Sequence, residues 1–234
     1  MKSSWYCSYV PNDRIVVHAS KLATCAGLNP FEDAEEFKLE FLNKSTYISP
    51  DVKAEQEIES LPQAEKINKI RATTFSNASQ VTTALEEIRD LPLSTAIKAK
   101  ITKDVFCKHG TEQEPIVRSA IREKIKTSTR YKISSMPITT TPSGLEVYIG
   151  GKHDGIKADS NMLVEIKTRQ NKFIGVRDYE LVQVHAYMTI FDKRNAELVE
   201  SFLGNQRTHA IEFDDAFWSK VTDGITEFFT DLEI

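Results

Sequence analysis

No run of residues in this chain approaches the roughly 18 consecutive apolar positions that crossing a bilayer requires. The opening stretch MKSSWYCSYVPNDR also lacks the apolar core of a signal peptide. A soluble, intracellular protein with no membrane partner is therefore expected. Cysteine is scarce too: Cys7, Cys25 and Cys107 are odd in number, widely scattered and in no Cys-x-x-Cys pair. That argues against a disulfide framework, a zinc site or an iron–sulfur cluster, and predicts reduced, mostly buried thiols. Internal repeats, low-complexity tracts and a clear linker are missing as well. Nor is there an excess of positive charge, since 30 Lys and Arg stand against 34 Asp and Glu, a net charge of −4.

What is present is an ordinary globular balance over 234 residues, 40% hydrophobic and 27% charged. This length suits one domain with an elaborated N-terminal part, mainly helical over 1–110 and built around a sheet over 111–234. The charges are segregated along the chain. Residues 98–132 carry ten Lys and Arg against four acids, whereas 31–60 hold nine acids and three lysines, and 212–234 seven acids and one lysine. A basic strip on an acidic body could guide a polyanion to one face, although a set of solvated helix faces gives the same pattern.

Helices are expected near 33–43, 64–73, 77–90 and 94–109, with Gly110 as a C-terminal stop, and another over about 113–126 where Ile116, Val117, Ala120, Ile121 and Ile125 recur at helical spacing. Residues 45–62 read as a mobile acidic loop. After 130 the pattern changes to short alternating runs at 131–139, 145–151 and 162–168, an antiparallel hairpin region. A helix at 178–191, strands at 197–203 and 207–213, and an amphipathic helix at 214–231 follow. The order predicts a three-layer α/β fold with a mixed central sheet.

The informative stretch is Gly150-Gly151-Lys152-His153-Asp154-Gly155, followed by Glu165-Ile166-Lys167. On a strand, Glu165 and Lys167 share one face while Val164 and Ile166 take the other. A turn through Ala158-Asp159-Ser160-Asn161 brings Asp154 beside Glu165. Two converging carboxylates repel unless a cation lies between them, and hard oxygen donors suit Mg²⁺ or Mn²⁺. Such an ion with a lysine beside it meets the needs of phosphodiester hydrolysis. An exposed hairpin with a cross-strand ion pair is the bland alternative.

His153-Asp154 and Glu165-Ile166-Lys167 resemble the PD-(D/E)XK nuclease superfamily, with histidine in place of proline. Gly110-Thr-Glu-Gln-Glu114 is similar to the Gly-x-x-x-Glu helix of its lambda-exonuclease and YqaJ-like branch, and Gln183-Val-His-Ala-Tyr187-Met188 to the Gln-containing helix that follows Glu-x-Lys there. Ala19-Ser20-Lys21-Leu22 with Gly27-Leu28-Asn29-Pro30-Phe31 resembles the opening of that branch, where a serine and nearby basic groups receive a DNA phosphate. The resemblance spans about residues 15–195 but rests on short motifs, and nothing in 45–100 matches. It implies a restriction-endonuclease-like core over 111–234 as the catalytic part. It further implies one or two Mg²⁺ ions (Mn²⁺ as substitute) held by Glu114, Asp154, Glu165 and the Ile166 carbonyl. Lys167 and Gln183 complete the catalytic set. Phosphate contacts are expected from Ser20, Lys21, Arg118, Arg169 and Lys172.

Several of these residues have a structural reading as well. Thr111-x-x-Glu114 is a capping-box pattern, although Pro115 lacks the amide hydrogen a cap at Thr111 would need from it. Gln183 could satisfy a buried backbone group, Ser20 could cap a helix over 21–27, and His153 and His185 read as structural. Trp5, Trp218, Phe228 and Phe229 read as core or interface.

The expected activity is DNA exonuclease, in end processing, recombination or repair, of viral, phage or mobile-element type. A structure-specific or restriction-like endonuclease and a catalytically inactive nucleic-acid-binding module are the alternatives. DNA is the expected partner, and the resemblance adds a single-strand annealing recombinase and a ring-shaped homotrimer.

Overall fold

A computed structural model of the chain describes residues 7–10, 14–42, 48, 50–127 and 130–230. Trp5 lies outside them. Strands β1 (Cys7–Val10) and β2 (Arg14–His18) come first, then a 3-10 turn over Ala19–Lys21 and helices α1 (Leu22–Cys25), α2 (Ala34–Leu42), α3 (Pro50–Ser60), α4 (Ala64–Ala72), α5 (Ala78–Arg89) and α6 (Thr95–Ala120). Strands β3 (Ile125–Lys126), β4 (Lys132–Ile133), β5 (Thr139–Thr140), β6 (Glu146–Gly151), β7 (Gly155–Lys157) and β8 (Leu163–Thr168) follow. Helix α7 (Asp178–Phe191), strands β9 (Asn195–Phe202) and β10 (Asn205–Glu212), and helix α8 (Asp215–Thr230) complete the chain.

The strands form two mixed five-stranded sheets, as the element order predicts for a mixed α/β fold. One runs β1-β2-β6-β4 with β5 also on β6, the other β10-β9-β8-β7-β3. The parallel pairs are β2 with β6 and β8 with β9. Parallel neighbours need a crossover, and α7 supplies it between β8 and β9. The chain leaves the first sheet at Gly151 and enters the second at Gly155, so Lys152, His153 and Asp154 lie at the crossing.

Side-chain alternation on β8 sorts two layers. Val164 and Ile166 pack with Val199 and with Val117 from the end of α6. Leu163 faces the opposite way, into the main core with Val182, Ala186 and Met188 of α7, Val221 and Ile225 of α8, and Ile15, Val17, Val147 and Ile149 of the first sheet. Helix, sheet and helix thus form three layers around β8. A separate apolar cluster of Ile58, Ile67, Phe75, Val81, Ile88, Ile97, Ile101 and Val105 joins α3, α4, α5 and the first half of α6, and no strand contributes to it.

Four expectations change. Residues 50–60, read as part of a mobile loop, are helical, with Pro50 at the first turn, where its missing amide hydrogen costs nothing. Ala54 and Ile58 are buried one turn apart. The two helices expected on either side of Gly110 are one helix of 26 residues. Its buried stripe, Ile97, Ile101, Val105 and His109 at four-residue spacing and then Val117, runs straight past Gly110, and an interior glycine costs only about 1 kcal/mol. Ser20 does not cap a helix; His18 holds the cap position and accepts from the Ser20 amide. Strand β2 was unanticipated because Ile15, Val16 and Val17 are all buried, so the run does not alternate.

The first part of the basic strip is consumed by the helical unit. Lys100 pairs with Asp104 at 2.5 Å, Lys103 with Asp51 at 3.0 Å and Lys108 with Glu112 at 3.4 Å, while Lys98 donates to the Arg89 carbonyl. Arg169, expected on DNA phosphate, is 9% exposed and bound at both ends. Its guanidinium donates to Glu180 of α7 at 2.6 Å and to Glu200 of β9 at 2.7 Å. Glu200 also accepts from the Ile174 and Gly175 amides, and its Oε2 is 2.7 Å from the His209 ring. A phosphate contact there would require breaking a buried ion network. Of the thiols, Cys25 is buried as expected but Cys107 is exposed, because it lies off the buried stripe of α6.

Burial alone would raise the Glu200 pKa, but the Ile174 amide, His209 and Arg169 outweigh it and hold the carboxyl at about 2, against an ordinary 4.5. A depressed carboxyl stabilises the fold above its unfolded pKa, and that contribution is lost as pH falls through the folded value. Glu200→Gln is therefore expected to lower stability at neutral pH and to flatten the loss of stability between pH 4.5 and 2, measured by urea unfolding at a series of pH values. Parallel acid limbs for the two proteins would refute it.

Candidate active site

Gly155 of β7 pairs with Val164 of β8, which places Asp154 beside Glu165 as the motif spacing predicts. Asp154 Oδ2 accepts from the Ile166 amide at 2.7 Å, and its charge is felt at Glu165. Glu165 is 3% exposed. Its Oε1 accepts from Lys167 Nζ at 2.8 Å, while its Oε2 is buried with no hydrogen-bond partner.

Lys167 Nζ donates equally to Gln183 Oε1 at 2.8 Å, and Gln183 Nε2 donates to the Tyr187 hydroxyl at 3.0 Å. Gln183 and Tyr187 are four residues apart on α7 and so share the face that meets β8. Gln183 therefore anchors the lysine rather than a buried backbone group. Tyr187 was not singled out from the sequence, yet the Gln-x-x-x-Tyr spacing on a helix was the signal that could have found it.

Glu114 lies three residues before Val117 on α6, on the face that packs against β8. The capping-box reading fails, because Thr111 is inside the helix and donates to the Cys107 carbonyl at 3.1 Å. Arg118, one turn on, sits 3.6 Å from Glu114.

The electrostatics are those of crowded acids. Burial, then the Asp154 charge, pushes the Glu165 carboxyl up, to about 8, against the pull of Lys167. Burial also raises Asp154, with the Ile166 amide and Lys167 opposing it. Glu114 is raised by burial and by Asp154. Burial works against the Lys167 ammonium, but Glu165 and Asp154 outweigh it and raise its pKa. Among the described residues, no three His, Cys, Asp or Glu side chains stand gathered closely enough to hold a metal ion. Asp154 and Glu165 are together, and Glu114 is near enough to be felt but is not gathered with them.

The glycines of the motif allow close approach. A Cβ on Gly151 would meet Tyr187 Cε1 at 2.6 Å, one on Gly150 the Tyr131 hydroxyl at 2.1 Å, and one on Gly155 the Ile125 Cγ2 at 2.1 Å. His153 is buried edge-on against Phe191, with ring centroids 4.5 Å apart, and burial lowers its pKa. His185 Nδ1 is 2.9 Å from the Leu181 carbonyl and its Nε2 accepts from the Asp214 amide, so it is structural as expected. Phe228 and Phe229 are core, with Trp218 packed against it.

Of the remaining phosphate candidates, Lys21 donates to Glu32 at 2.6 Å and leaves only 15% of its side chain exposed, which ties its charge to the protein. The Ser20 hydroxyl is 2.8 Å from His18 Nδ1. Lys172 is exposed on the loop between β8 and α7.

No family model and no curated protein matches the chain. Among solved structures, it is similar to an alkaline exonuclease from Laribacter hongkongensis at 15% identity, over 93% of this chain and 87% of that one, with a TM-score of 0.49. A complex of the Laribacter exonuclease with dAMP aligns at 17% identity over 73% of this chain and 86% of that one, with a TM-score of 0.39. A phage-related exonuclease from Haemophilus somnus aligns at 13% identity over 92% and 93%, with a TM-score of 0.38.

Gly151→Ala is expected to displace Tyr187 and, through Gln183, loosen Lys167. Overpacking of this kind costs about 1–3 kcal/mol, read by urea unfolding. Tyr187→Phe in the Gly151→Ala background should recover little, since the collision is with the ring rather than the hydroxyl. Wild-type stability of Gly151→Ala would show that the strand-to-helix contact is not tight.

Proposed function

We propose that the chain is a divalent-metal-dependent nuclease that hydrolyses DNA phosphodiesters. The observation that carries this reading is the unpartnered Glu165 Oε2, buried beside Asp154. A carboxylate oxygen carried into the interior without a donor is costly, and one ammonium cannot neutralise two carboxylates. The donors available are carboxylate oxygens, which fit a hard cation such as Mg²⁺ or Mn²⁺. Asp154 and Glu165 would hold it, with Glu114 completing the set by a side-chain movement on α6.

When bound, such an ion supplies positive charge to polarise a phosphate oxygen and make a water more acidic. The remaining work falls to the chain. Lys167 Nζ, fixed by Glu165 and Gln183, holds a positive charge beside the carboxylates, where negative charge develops on a phosphodiester under attack. Gln183 and Tyr187 fix the position of that ammonium, so it needs no reorganisation as the reaction proceeds. The Ile166 amide orients Asp154.

The end-directed, exonucleolytic mode follows from the resemblance in motif order rather than from the site geometry, and it extends to the single domain, recombination or repair role and phage or viral type expected from the sequence. No helix is long and apolar enough to cross a membrane among the described residues.

Lys167→Ala and Asp154→Asn are each expected to abolish Mg²⁺-dependent cleavage of a 5′- or 3′-labelled linear duplex, with circular dichroism unchanged. Short products accumulating from the ends mark an exonuclease, and long internal fragments an endonuclease. Wild-type rates in either variant, or equal cleavage in EDTA, would overturn the assignment.

A further inference from the structure

The positive charge that α6 does not consume gathers beyond its C-terminal end. An open cavity of about 400 Å³ lies there, its lining made of the basic Arg118, Arg122 and Lys124 together with the apolar Pro115, Ile121 and Ile125. The cavity adjoins the carboxylates: Ile125 Cγ2 lies directly over Gly155, the residue after Asp154, and Arg118 is one turn from Glu114.

Three observations distinguish this cavity from ordinary basic surface. The Arg118 Nε hydrogen is buried with no acceptor, and the nearest carboxylate contact of its guanidinium is the long one to Glu114 at 3.6 Å. Arg122 and Lys124 are exposed and form no ion pair among the described residues, unlike Lys100, Lys103 and Lys108 farther up the same strip. Glu123, the acid in the lining, is turned to another use: it accepts from the Asp159 and Ser160 amides at 2.8 and 2.7 Å and so closes the β7–β8 turn.

We infer that this cavity binds a phosphate and its deoxyribose on the DNA strand that lies across the carboxylates, next to the phosphodiester cleaved. The inference rests on the proposed nuclease reading and adds a binding subsite to it. Guanidinium groups match phosphate oxygens in a fork, and Arg118 and Arg122 bring two of them to the lining. The apolar residues of the lining, Pro115, Ile121 and Ile125, suit the carbon face of a sugar, and the volume falls in the range of ordinary ligand clefts. Contacts of this kind position a strand without reading its sequence.

The test is binding of a short fluorescent DNA duplex by full-length protein in EDTA, followed by anisotropy over a range of NaCl concentrations. Each phosphate neutralised contributes about 0.9 to the slope of log K against log salt. Arg122→Glu with Lys124→Glu is expected to make that slope shallower by about 2 and to weaken binding at low salt by roughly tenfold or more. The control, Lys66→Glu with Lys69→Glu on α4, changes net charge equally and should leave the slope unaltered. Circular dichroism checks folding, and Arg122→Gln with Lys124→Gln, which adds no repulsion, should show the same shallower slope. A wild-type slope in both cavity variants, or an equal loss in the α4 control, overturns the inference. Mg²⁺-dependent cleavage by the unmodified protein is scored separately. Cleavage with an unchanged slope removes the subsite alone, and the expected slope change without any cleavage removes the nuclease reading alone.

Discussion

Everything around the crossing of the two sheets answers to one constraint, a glutamate carried into the interior with only one of its two oxygens satisfied. Glu165 sits on β8 among residues that are buried on both faces, and its neighbour across the turn is another acid. Such a pair is unfavourable unless positive charge is fixed beside it. Lys167 supplies part of that charge, and it stays in place because Gln183 and Tyr187 hold it from α7. The strand, the helix that crosses back over it and the glycine that lets the helix approach therefore form one unit, organised around a charge problem rather than around apolar packing.

The buried network two residues along β8 shows the contrast. Glu200 is as deeply buried as Glu165, yet it has an arginine, a histidine and two backbone amides, and its carboxyl is held far down the scale. Glu165 has one ammonium and an acid beside it, and its carboxyl is driven up. The same residue type, on adjacent parallel strands, is in one case fully paired and in the other left partly open. Complete pairing fixes structure; an open oxygen beside a fixed ammonium leaves room for a ligand.

The chemistry-bearing stretch was legible because it depends on local rules. Alternation on a strand puts Glu165 with Lys167, and the hairpin puts Asp154 beside Glu165, whatever the rest of the chain does. Helices α4, α5, α7 and α8 were equally readable from their periodicity. What could not be read depended on distant partners. Arg169 looks like a surface cation until Glu180 and Glu200 arrive from α7 and β9. Ile15, Val16 and Val17 give no alternating signal because both faces of β2 are covered. Gly110 looks like a stop, but the buried stripe of α6 continues past it and the apolar contacts at both ends outweigh a weak local preference.

That continuity gives α6 two jobs. Its first half closes the helical cluster through Ile97, Ile101 and Val105, and its last turns bring Glu114, Val117 and Arg118 to the back of β8. Pro115 falls between Glu114 and Arg118 and takes away the amide that Thr111 would otherwise bond, so the helix is weakened at the point where it reaches the site. The basic residues follow the same division. Upstream of the proline, Lys100, Lys103 and Lys108 are paired into the helical unit; downstream, Arg122 and Lys124 form no ion pair among the described residues and line a cavity near the carboxylates. A chain with a net charge of −4 can thus present a local positive surface to a polyanion, because its acids neutralise the charges that build the fold and leave those that face the site.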